Sequence, residues 1–203
     1  MTDQNAIRDD IAFMRALAEE GRQGPLVGGS ILLASGLCFG TASLAIWANQ
    51  TFDLVTSSWS FAGTWMISLA VFLGFLFFSK ATRGPRAGAS RAIGVAWSGA
   101  GWSIFFVGLS LAVMAVRGKD PYVANAFLPF ILSIYGSAWF VAAAMTKTRW
   151  LFAVAAGSFV FALVTAWFAA DGLIVFLIYA LGLYALVAAP GFVLTRQVRK
   201  AAA

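Results

Sequence analysis

The side chains that could do chemistry in this 203-residue chain are few. Six long apolar stretches each place a hydroxyl near their centre: Ser35, Ser68, Ser103, Ser133 with Tyr135, Ser158, and Tyr184, with the indole of Trp102 at the same depth. Converging, they would line a neutral polar cavity with an aromatic wall. Such a cavity would hold an uncharged or zwitterionic small solute by hydrogen bonds and stacking. The competing reading is packing, because serine fills helix crossings and bonds to its own backbone. Nucleophilic use of these hydroxyls needs a base, and the stretches hold no His or Lys to provide one.

The missing residue types exclude more. There is no histidine, which removes His-ligated metal and haem centres and the Ser-His-Asp arrangement. The single cysteine, Cys38, forms no internal disulfide or thiolate cluster and reads as a small apolar side chain. The acids Asp3, Asp9, Asp10, Glu19, Glu20, Asp53, Asp120 and Asp171 all lie outside the apolar stretches. An ionisable group at membrane depth is the usual mark of an ion or proton path, and the sequence offers none. No phosphate-binding glycine loop or paired carboxylates occur. The expectation is a protein that is not an enzyme and carries no cofactor, metal or catalytic residue.

The elements that would position these residues follow from composition. Hydrophobic residues make up 61% of the chain and charged residues 11%, too few charges to keep that much apolar surface in water. The continuous apolar runs lack the alternation of a membrane β-barrel. The fold class expected is an all-α integral membrane protein, a six-transmembrane-helix bundle over 25–195. Its spans are 25–48, 59–79, 92–116, 122–145, 150–170 and 173–194, compatible with three antiparallel hairpins. A two-residue turn, Asp171-Gly172, would join the last two. Pro129 should kink the fourth helix, and Pro190-Gly191 should end the sixth, ahead of a basic tail at 196–203. The first apolar run is too long for a cleaved signal and reads as a retained anchor.

Lys and Arg divide unevenly between the two sides. Twelve fall on the side of the residues that precede the first span, and two, Arg117 and Lys119, fall on the other. By the positive-inside rule that side is cytoplasmic, as in a bacterial inner (plasma) membrane. The net charge of +6 therefore records orientation rather than nucleic-acid binding.

Residues 1–24 form the remaining segment. Over 3–22, Ile7, Ile11, Met14, Leu17 and Ala18 recur at helical spacing, predicting an amphipathic helix along the cytoplasmic interface. Its five acids outweigh three arginines. An anionic membrane surface favours basic arms, so an acidic arm calls for another partner. Candidates are the basic loop of Lys80, Arg83, Arg86 and Arg91, or a second protein that meets Ile7, Ile11, Met14, Glu19 and Glu20. Small-residue stripes, Gly29, Gly36 and Gly40 in the first helix and Gly94, Gly101 and Gly108 in the third, point to close helix packing within the bundle or in a homo-oligomer.

Two functional readings result. The first is a multi-pass membrane protein acting through protein contacts, as an assembly subunit, docking platform or membrane-bound regulator. The alternative is a small neutral-solute binding or transport protein built on the mid-membrane hydroxyls.

Overall fold

The computed structural model describes residue 11 and residues 28–57, 59–79, 88–119 and 121–201; side chains at 88–91, 121, 122 and 201 are left aside. Among the described residues there are helices and no strands. The order is α1 (Gly29–Phe52), α2 (Ser60–Phe78), α3 (Gly88–Gly118), a 3-10 turn (Pro121–Ala126), α4 (Phe127–Thr146), α5 (Arg149–Trp167), α6 (Ile174–Leu183), a π-helical turn (Tyr184–Ala188) and α7 (Ala189–Ala201). With α6, the π turn and α7 counted as one span, six helices are long and apolar enough to cross a membrane. Uninterrupted apolar sequence favours helices because each backbone N–H finds its carbonyl within the segment.

The interior is made by α1, α4, α5 and the α6–α7 span. Its buried cluster includes Leu32, Ile46, Leu132, Tyr135, Trp139, Leu151, Tyr179, Leu183 and Val187. The strongest packing joins α4 to α5, and α1 to α6 and α7. α5 meets α6 only lightly, so the last two spans are not the tight hairpin expected. α2 and α3 are peripheral. α2 packs on α1 and has no buried residue, α3 packs on α4, and the two do not pack along each other. Ring contacts hold them: Trp65 and Phe72 of α2 meet Phe39, and Trp97 of α3 meets Tyr135 and Trp139.

Several boundaries differ from expectation, each for a local reason. α1 runs to Phe52 rather than 48, closed by Asp53 in a left-handed conformation whose N–H bonds to the Asn49 carbonyl. Pro129 does not sit mid-helix. It occupies the first turn of α4, directly after the 3-10 turn and near the start of the helical stretch Val123–Thr146, where proline is best tolerated. α5 ends at Trp167, so residues 168–173 rather than two residues join it to α6, with Gly172 at φ +71°. Asn125 donates its side-chain N–H to the Ala169 carbonyl in that turn, 3.1 Å away. Pro190 does not end the last helix, and residues 196–201 continue it as helix.

That continuation has a clear cause. Proline at 190 has no N–H to offer the Leu186 carbonyl four residues back. The chain widens into a π turn there, with the Ala189 N–H reaching the Tyr184 carbonyl. The Leu186 carbonyl accepts instead from the Trp139 indole of α4 at 2.9 Å. Trp139 is 0% exposed, so this bond satisfies a donor and an acceptor that would otherwise be orphaned in the core.

Candidate functional site

Close approach of α1 to the α6–α7 span is written in glycine. A Cβ at Gly36 would stand 2.5 Å from the Ala188 nitrogen, and one at Gly29 would stand 2.7 Å from the Thr195 nitrogen. At Gly40 it would meet the Tyr184 ring at 2.9 Å. Gly191 answers from the other side, where a Cβ would lie 2.5 Å from the Leu33 nitrogen. At Gly29, Gly36 and Gly191 these spacings leave no room for a side chain and the helices touch backbone to backbone, while Gly40 makes room for the Tyr184 ring. Two hydroxyl bonds tie the same seam. Ser43 donates to the Phe176 carbonyl at 2.8 Å, fully buried, and Thr41 shares a hydrogen bond with the Tyr184 hydroxyl at 2.9 Å.

The third-helix stripe is placed differently. Gly108 lies against the Phe127 ring at 3.1 Å, whereas Gly101 faces open space. Gly94 is half-buried, and its carbonyl accepts from the Ser98 hydroxyl.

The eight mid-span residues do not gather around one hollow. Ser35 and Tyr135 are buried and face each other between α1 and α4, but the Ser35 hydroxyl donates to the Leu32 carbonyl of its own helix. Ser158 is buried and donates to the Val154 carbonyl. Tyr184 is taken up by Thr41, and Ser68 and Ser133 are half-buried. Ser103 is exposed, and Trp102 is 65% exposed and stacks on Phe106 of its own helix. Helical geometry explains this: five residues turn α-helix by about 140°, so Trp97 facing α4 sends Trp102 to the outer side.

Hollows among the described residues lie elsewhere. One, of about 10 Å³, lies between the end of α1 and the start of α2, lined by Ile46, Asn49, Gln50, Ser60, Phe61 and Thr64. It has room for about one water. Another is an open groove of about 290 Å³ along Ala126, Pro129, Ala166, Ala169 and Ala170. Neither is lined by any of the eight.

Of the arm residues, Ile11 is helical and exposed. Ile7, Met14, Glu19 and Glu20 lie outside the described residues, as do the basic loop residues Lys80, Arg83 and Arg86; the Arg91 side chain is likewise not described. Depth alone marks Trp139 as an indole that needs an acceptor on a neighbouring helix, and it has one in Leu186; the buried Ser43 and the exposed Thr41 are polar contacts that residue spacing did not single out. A proline four residues after Leu186 was the available signal for that acceptor, since it strips a carbonyl that some buried donor must then reach.

No protein-family model, curated protein or solved structure matches this chain.

Proposed function

We propose that this is a non-catalytic multi-pass protein of a bacterial inner membrane that acts through protein–protein contacts, as an assembly subunit, docking platform or membrane-bound regulator. In this reading the six apolar helices span the bilayer as a bundle. The residues before α1 and after α7 lie on the cytoplasmic side, where Lys and Arg concentrate. The amphipathic arm over 3–22 rests at that interface and is its protein-binding element.

One observation carries the reading. A core closed by glycine between α1 and the last span carries two outer helices: α2 packs mainly on α1, with Phe61 touching Phe176 of α6, and α3 packs on α4 and the 3-10 turn, leaving apolar side chains exposed on both and no extensive packing between them. A rigid core with free apolar flanks suits lateral association better than a device that opens around a solute. Of the hydroxyls that a carrier would offer its solute, Ser35 and Ser158 bond to carbonyls of their own helices and Tyr184 bonds to Thr41.

Purification in mild detergent followed by native mass spectrometry tests the proposal. The expected result is a stoichiometric partner protein or a homo-oligomer, with a protein partner lost when residues 1–22 are removed. A lone monomer across several lipids and detergents would overturn it.

A further inference from the structure

The seam between α1 and the last span has a fixed antiparallel register: Gly29 meets Thr195, Gly36 meets Ala188, and Gly40 meets Tyr184. α1 begins at Gly29, while α7 continues to Ala201. α7 therefore overhangs the start of α1 by about 9 Å, six residues at 1.5 Å each. Arg199 lies one further turn beyond Thr195, past the start of α1. The overhang is basic, with Arg196, Arg199 and Lys200 and no acid. Arg196 lies back over the Phe192 ring, 4.3 Å from its centre, whereas Arg199 and Lys200 stand exposed at the tip.

The sequence that precedes Gly28 is acidic, with five acids and three arginines between residues 3 and 22. Glu20 is eight residues from Gly28, a reach of up to about 28 Å when extended. We infer that the acidic segment 3–22 docks on the overhanging basic face of α7, with Glu19 and Glu20 against Arg199 and Lys200, and that it holds this surface until a protein partner displaces it. The displacement clause rests on the proposed contact function; the docking does not. Exposed ion pairs are weak and screened by salt, which suits a contact made to be exchanged.

The test uses the full chain alone in lipid nanodiscs, with its one cysteine removed by Cys38→Ser. Oxidative cross-linking is compared between Gly21→Cys with Val198→Cys and Gly21→Cys with Ala87→Cys, the latter reporting on the basic loop. The first pair should link roughly fivefold faster, reflecting a higher effective concentration, and should slow at high salt. Arg199→Glu with Lys200→Glu should abolish the advantage, and adding Glu19→Arg with Glu20→Arg should restore it, which also shows that the variants fold. Faster linking to position 87, linking at neither position, or indifference to charge reversal would overturn the docking. Since no partner is present, this result stands apart from whether one co-purifies.

Discussion

Two glycine stripes that look alike in sequence have opposite fates. Gly29, Gly36 and Gly40 of α1 lie on one helical face and are closed down by α7 and the π turn, Gly29 and Gly36 against backbone and Gly40 against the Tyr184 ring. In α3, Gly101 and Gly108 repeat at a heptad interval, yet only Gly108 has a neighbour, and that neighbour is a phenylalanine ring rather than a backbone. Glycine permits close approach without requiring it. The stripe of α1 is used because its partner is also small, with Ala188 and Gly191 opposite; α4 presents Tyr135 and Trp139 to Trp97 of α3 and so holds that helix off. The first contact is mainly a seam between backbones, with one ring at Gly40, and the second is a contact between rings, so the two sides of the bundle are packed by different means.

Substitution at the two stripes should separate them most sharply. Gly36→Leu must push α1 off Ala188 and should cost about 3 kcal/mol or more, the upper end for overpacking, while Gly101→Leu should leave stability nearly unchanged. Thermal unfolding of both variants in the same detergent measures the gap, and equal losses would break the comparison.

The next effect concerns how the glycine-closed side is clamped. Trp139→Phe should cost about 1–3 kcal/mol by removing the indole donor from the part-buried Leu186 carbonyl. Pro190→Ala restores a backbone donor four residues on, so the same tryptophan change should cost less in that background. A double-mutant cycle reads the coupling, and strict additivity would refute the compensation. A smaller loss, about 1 kcal/mol, is expected for Ser43→Ala, which removes one neutral hydrogen bond across the seam. Ser98→Ala, whose hydroxyl bonds only to Gly94 within exposed α3, is its reference and should change little.

The number of apolar helices and their approximate places were legible because an apolar run of spanning length has few alternatives to helix. Helix ends were less so. The termination expected at Pro190 failed because a tertiary donor, the Trp139 indole, replaced the hydrogen bond that proline deleted. Pro129 falls instead in the first turn of α4, near the start of its span, where a proline is best tolerated. The mid-span hydroxyls were legible as a set at equal depth. Their directions were not, since depth depends on residue count and direction on which face the neighbouring helix covers. Ser35 and Tyr135 meet, whereas Trp102 and Ser103 point away from the core.

The sequence by itself determined the absence of histidine and of mid-span charge, the six apolar helices, and the uneven distribution of Lys and Arg. These depend on composition and on the one-dimensional cost of burying charge and unpaired backbone. Only the tertiary structure decided which helices form the core, which glycines are pressed shut, and that a tryptophan completes a helix broken by proline. Such choices turn on complementarity between surfaces distant in the chain, with Gly36 against Ala188 and Trp139 against Leu186. One sequence stripe cannot report the shape of the surface it will meet.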